Sequence, residues 1–150
     1  MLLRKVRMVL PEDLQQAIRQ DVIEVGEAVA RLCPWNDKFD FKIEVIGESN
    51  CSRWHRDNYC ARAIVTYNAT GTLYTPDENV NFWELENCGV NEHILKDPTC
   101  VKSVGVGDVF FIKGTKFPCG SKGLVHKSPE VLRHYNGMVV NRLVLKVDVP

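Results

Sequence analysis

The sequence predicts a mainly β domain, a jelly roll or double-stranded β-helix, with an N-terminal helix packed on one of its sheets. Three observations carry this. One amphipathic stretch with helical period stops at Cys33-Pro34, a succession of short segments with β character follows it, and Gly, Asn, Asp and Pro turns separate those segments. A chain of 150 residues suffices for one domain with a proper core and is short for two. Residues 1–38 therefore read as a helical preface and 39–150 as the β core of a single domain.

The helix is expected over residues 11–33. Pro11, Glu12 and Asp13 suit a first turn, where a missing N–H and negative charge are both tolerated. Leu14, Ile18, Val22, Val25 and Val29 recur three and four apart and form one apolar stripe, with a break conceivable near Gln20-Asp21. Phe39–Ile46 then alternates apolar and polar residues and ends at Gly47. Ala61–Tyr67 and Thr72–Tyr74 read as strands, and Val80–Trp83 as a short one. Residues 84–100 read as a polar surface insertion. Val101–Val106 and Val109–Lys113, about the turn Gly107-Asp108, read as a hairpin or two consecutive strands; Gly123–His126 is short, and Met138–Val147 is a strong terminal strand.

Charge excludes some functions. Nineteen basic residues against nineteen acidic ones leave no bulk footprint for nucleic acid or a membrane surface. In MLLRKVRMVL the basic residues interrupt the apolar run and Pro11-Glu12-Asp13 follows, so the segment reads as mature protein and not as a leader. Six cysteines (33, 51, 60, 88, 100 and 119) form neither CxxC nor zinc-finger spacing and read as reduced thiols of an intracellular, cytoplasmic protein. Asn68-Ala69-Thr70 matches a glycosylation sequon that carries no weight without secretion.

The chemistry concentrates in CSRWHRDNYCAR, residues 51–62. On a strand, residues two apart project from one face, so His55 and Asp57 can offer an imidazole nitrogen and a carboxylate oxygen to one cation. A two-His-one-carboxylate set with open positions is the ligand group of non-haem Fe(II) centres. The pair alone also fits a polar turn. A second histidine would come from His93, His126 or His134, of which His126 ends an apolar segment before Ser128-Pro129 at the rim of a barrel. Cys51, Cys60 and Cys119 are candidate soft ligands. Arg53, Arg56 and Arg62 could attract an anionic substrate but read first as solvated residues, and Trp54 and Trp83 read as packing residues.

Several motifs carry a resemblance to known families. His55-x-Asp57, Arg62-x-x-x-Thr66-Tyr67, Gly107-Asp108-Val109-Phe110-Phe111-Ile112-Lys113-Gly114, His126 and the late Arg142 resemble the Fe(II)/2-oxoglutarate dioxygenases of the prolyl-hydroxylase-like branch, within the cupin superfamily. His55-Arg56-Asp57-Asn58, Thr66-Tyr67, Gly71-Thr72, Lys113-Gly114, Gly123-Leu124-Val125-His126-Lys127-Ser128-Pro129 and Arg142-Leu143 resemble a domain-of-unknown-function family over about residues 42–148. The resemblance implies a triad of His55, Asp57 and His126 holding Fe(II) or another first-row divalent metal. It implies Arg142 as anchor for the far carboxylate of 2-oxoglutarate, with Lys113 as a second cation and Thr66 and Tyr67 as hydroxyl donors. Each has a plainer alternative: Arg142 an outward strand residue, Lys113 a solvated strand end, Tyr67 a half-buried aromatic. The expected activity is hydroxylase-type oxidation of a small-molecule or peptide substrate. The alternative readings are a cupin-like metal or small-anion binding protein, or another metalloenzyme, without 2-oxoglutarate chemistry, and an interaction module with an empty site.

Overall fold

The structure, a computed structural model, describes residues 11–48, 50–118 and 120–150. The leader question for residues 1–10 and the ligand question for Cys119 fall outside the described residues. The elements in chain order are α1 (Glu12–Leu32), β1 (Asp40–Ile46), β2 (Ala61–Thr66), β3 (Leu73–Thr75), α2 (Phe82–Glu86), α3 (Asn91–Ile94), β4 (Lys102–Ser103), β5 (Val109–Lys113), β6 (Val125–Lys127) and β7 (Arg142–Val149). They form two antiparallel sheets with one main helix. The larger sheet has the order β1-β7-β2-β5 and the smaller one β4-β3-β6. His55 adds an antiparallel bridge to the free side of β6, exchanging both backbone hydrogen bonds with His126 at 3.0 Å.

α1 runs without a break, begins after Pro11 and carries Glu12 and Asp13 in its first turn. Its stripe buries Ile18, Val25 and Val29. The stripe meets one face of the larger sheet, where Ala61, Ala63 and Val65 of β2 and Leu145, Val147 and Val149 of β7 complete the main core. Strand alternation sends the other residues to the opposite face. There Ile64, Ile112 and Val144 form a smaller apolar cluster with Ile46, Phe110 and Leu124. Arg62, Arg142, Lys146 and Asp148 share that face, and it is the side that meets the small sheet.

Four expectations change. Val80–Trp83 is not a strand, because α2 begins at Phe82, and Trp83 is 67% exposed and packs on little. Residues 84–100 are no loose insertion: α2 and α3 bury Leu85 and Ile94 against Trp54, Val80 and Val125. The polar residues of that stretch serve long-range hydrogen bonds described below. Val101–Val106 shortens to β4, which pairs in the other sheet from β5 and makes no hairpin with it. The terminal strand starts at Arg142 and not at Met138. Residues 132–140 instead fold back on themselves through an Arg133–Val139 bridge around Gly137, whose φ of +81° suits glycine. Asn68 fixes the start of β7 by accepting from Leu143 N at 2.7 Å and donating to the Asn141 carbonyl at 2.9 Å.

Candidate metal centre

The segment that carries His55 is irregular, so its position has to be imposed from outside. Trp54 anchors it, 2% exposed among the apolar residues of the α2–α3 region. Asn91 at the start of α3 accepts from Trp54 N at 2.9 Å and donates to the Ser52 carbonyl at 2.8 Å. Arg53 closes the end of α2 by donating to the carbonyls of Leu85 and Gly89 at 2.9 and 3.2 Å. Arg56 bonds Glu86 at 2.7 Å and the Lys122 carbonyl at 3.0 Å. These arginines are ties across the fold, not the solvated residues the sequence suggested.

On the other side of the motif, Gly114 fits under the turn that presents Asp57. A Cβ there would lie 2.0 Å from the Tyr59 carbonyl oxygen and 3.1 Å from that of Asp57. The same carbonyls bond the backbone N–H groups of Lys116 and Thr115. Gly114→Ala is therefore expected to push the Asp57 turn outward and weaken metal binding while the main core stays folded. Metal titration beside far-UV circular dichroism checks this; unchanged metal affinity would contradict it.

His55, Asp57 and His126 converge, with their ligand atoms within 4.8 Å of one another. Asp57 and His126 are buried, at 7% and 3% exposure, and His55 is partly open. The Nδ1 atoms of the two histidines are bound to backbone carbonyls, His55 to Arg53 at 2.8 Å and His126 to Leu124 at 2.9 Å. Only N–H can donate to a carbonyl, so both rings carry the Nδ1 proton and keep a free lone pair on Nε2. Those lone-pair atoms stand 3.9 and 3.7 Å from the Asp57 oxygens, too far for a hydrogen bond. Two neutral Nε2 atoms and one carboxylate around a common gap are a donor set that fits one divalent first-row cation.

Electrostatics favour the same state. Burial lowers the pKa of His126, and the neighbouring His55 adds to this, against the opposing pull of the Leu124 carbonyl and Asp57. His126 therefore stays neutral to lower pH than an ordinary imidazole. Without metal this has a cost for folding. The unfolded chain takes up a proton near the ordinary value of 6.5 and the folded chain does not, so stability falls as pH drops below that value. The metal-free protein is expected to show a lower urea midpoint at pH 5.5 than at pH 7.5, and His126→Gln a smaller difference between the two.

Asp57 has a partner that the sequence did not reveal. Arg62 Nη1 donates to both of its oxygens, at 3.1 and 3.0 Å. Arg62 Nε in turn bonds Asp148, whose other oxygen accepts from Lys42 at 2.8 Å. Burial would raise the pKa of Asp148, but the bonds from Arg62 and Lys42 outweigh it and hold it low. The charges on this sheet face thus form one continuous chain from Lys42 to the triad.

A small, partly open cleft lies beside the triad. His55 and His126 line it together with Arg62, Arg142 and Lys146, and Thr72 and Ser128 supply hydroxyls. Arg142 is 8% exposed. It donates to the Thr70 carbonyl at 3.1 Å and to the Ser128 hydroxyl at 3.4 Å, and pairs with no carboxylate among the described residues. Burial pulls its pKa down. Lys146 is neutralised by Glu44 at 2.6 Å.

The other expected cofactor residues are elsewhere. Tyr67 follows the parity of Ala63 and Val65 and packs on the α1 side of the sheet. Its buried hydroxyl makes no well-formed hydrogen bond among the described residues, although the Asp21 carboxylate is near enough to add to the rise in pKa that burial causes. Lys113 is exposed and lies over the Phe117 ring at 4.8 Å, again on the α1 side. Thr66 is buried on the cleft-facing side of β2 but does not reach the lining. Cys51 lines the cleft with Sγ 3.5 Å from His55 Nδ1, outside the triad, whereas Cys60 packs against the main core. His93 and His134 are exposed and far from the cluster in role: neither joins it. No helix among the described residues is long and apolar enough to cross a membrane.

Residues 3–148 match the family model described as Protein of unknown function (DUF1826), and the chain belongs to that family. No curated protein and no solved structure matches it.

Proposed function

We propose that this member of the DUF1826 family is a non-haem Fe(II)- and 2-oxoglutarate-dependent dioxygenase acting on a small-molecule or peptide substrate. The single observation that carries the reading is Arg142, a buried guanidinium without a carboxylate partner among the described residues, in the same cleft as the two histidines. A buried cation is costly unless something anionic completes it, and a guanidinium suits a carboxylate through two parallel hydrogen bonds.

The strand order supports a double-stranded β-helix. Counting the His55 bridge as a strand, β1-β7-β2-β5 faces a second layer ordered His55 segment-β6-β3-β4. The chain passes between the layers at nearly every step, as in a jelly roll. The five described cysteines are free thiols, which supports a cytoplasmic setting.

In this reading His55, Asp57 and His126 would hold the metal beside the cleft. Bound Fe(II) supplies activation of O₂ coupled to oxidative decarboxylation of 2-oxoglutarate to succinate and CO₂. The protein's part is placement. Arg142 receives the far carboxylate, with Ser128 orienting the guanidinium, and Ile46, Ile64 and Val144 keep the wall beside it apolar. The carbonyls of Arg53 and Leu124 keep both imidazoles in the ligating tautomer.

A second reading, a cupin-like metal-binding protein without 2-oxoglutarate chemistry, is favoured by the position of Tyr67 and Lys113 outside the cleft. Succinate formation decides between the two. Fe(II)-loaded protein with 2-oxoglutarate and O₂ is expected to release succinate above a metal-free control, even uncoupled from substrate. Stoichiometric metal without any effect of 2-oxoglutarate would favour the second reading.

A further inference from the structure

The contact between Arg62 and Asp57 has a geometry that charge balance alone does not require. One guanidinium nitrogen stands almost equally far from the two oxygens, 3.1 and 3.0 Å. That is the position across the mouth of a carboxylate, where a cation chelated by both oxygens would otherwise sit. Without such a block, both oxygens are within reach of the gap: His55 Nε2 is nearest one of them and His126 Nε2 nearest the other.

We propose that Arg62 is a positioning residue that restricts Asp57 to ligation through a single oxygen and so keeps one further coordination position open for exogenous ligands. The inference rests on the metal reading above. Arg62 is itself held against movement. Asp148 lies directly opposite it in the β2–β7 register and binds Nε, Lys42 holds the far side of Asp148, and the guanidinium lies over the Tyr59 ring at 4.8 Å. A lysine could balance the charge of Asp57, but a single ammonium lacks the planar fork that engages Asp57 and Asp148 at once. The arrangement therefore trades a possible fourth protein donor for an open position, which a site that binds a bidentate co-substrate and a further small ligand needs.

Mn(II) alone is a sufficient probe, because it prefers six-fold coordination and its bound waters can be counted by water-proton relaxation. With three protein donors the wild type is expected to keep about three exchangeable waters per bound ion, and Arg62→Met about two, as Asp57 turns to chelate. Metal stoichiometry should remain one ion per chain in both. A role in stability alone would move the unfolding midpoint or the affinity and leave the water count per bound ion unchanged. Arg62→Lys keeps a positive charge beside Asp148, so it is the variant to use if Arg62→Met does not fold, and it is expected to lose a water as well. An unchanged count in a loaded variant overturns the proposal, and so does a wild type that already has about two waters. A wild type that takes up no stoichiometric Mn(II) defeats the metal reading itself, a result visible before any water is counted.

Discussion

His126→Ala is expected to lower divalent-metal affinity by well over about 100-fold, since loss of an outer partner of a ligand alone costs 10–100-fold. His126 is the most enclosed member of the triad, and its Nδ1 proton is committed to the Leu124 carbonyl. Its removal leaves two donors and a hole in the middle of β6. The exposed His93 and His134 provide the internal control: alanine at either position should leave affinity unchanged. Competition titration against a chromophoric chelator measures all three. Equal losses at His126 and His93 would mean that the cluster is not the binding site.

Arg142→Met is expected to separate cofactor binding from folding. The charged hydrogen bonds to a carboxylate are worth about 1.5–3 kcal/mol, so 2-oxoglutarate affinity should fall roughly 10- to 100-fold. Folding should respond in the other direction or not at all. The guanidinium is buried without a counter-charge among the described residues, and an apolar side chain of similar volume avoids its desolvation. Metal affinity should stay as in the wild type, because Arg142 does not touch the triad. Calorimetric titration of 2-oxoglutarate onto metal-loaded protein, beside a urea unfolding curve, gives both numbers. A large loss of stability with unchanged 2-oxoglutarate binding would make Arg142 a structural residue that serves the Thr70 and Ser128 contacts.

Some of this was legible in the sequence because it depends on local periodicity. The stripe from Leu14 to Val29 fixed the face of α1, and the alternation of Phe39–Ile46 and Ala61–Tyr67 placed two strands of the larger sheet within a residue of their observed bounds. A two-residue spacing and an apolar strand end single out His55, Asp57 and His126 locally, but only the family resemblance joins them into one set, and the structure brings the three together. Parity would have corrected one assignment. Thr66 and Tyr67 are adjacent on a strand and cannot face one cleft together, and the parity of Ala61, Ala63 and Val65 assigns Tyr67 to the helix side.

What was not legible depends on register between distant strands. Asp148 in an apolar terminal strand and Arg62 between two alanines were signals of buried charge, yet nothing local pairs residues 86 positions apart. The β2–β7 register does so by placing them directly opposite. Ser128 carries no local signal of its role because its partner, Arg142, belongs to the larger sheet. The polarity of residues 84–100 looked like solvation for the same reason: Asn91 and the carbonyls of Leu85 and Gly89 find their partners at Ser52, Arg53 and Trp54, far back in the chain.

In the proposed function one ion bound by His55, Asp57 and His126 shares its cleft with 2-oxoglutarate anchored at Arg142. Anaerobic titration of the Fe(II)-loaded protein with 2-oxoglutarate tests it most directly, followed by visible absorption. A metal-to-ligand charge-transfer band is expected to grow to saturation at one equivalent of iron, to be absent in His55→Ala, and to require far more 2-oxoglutarate in Arg142→Met. Stoichiometric Fe(II) binding with no band at any 2-oxoglutarate concentration would contradict the account.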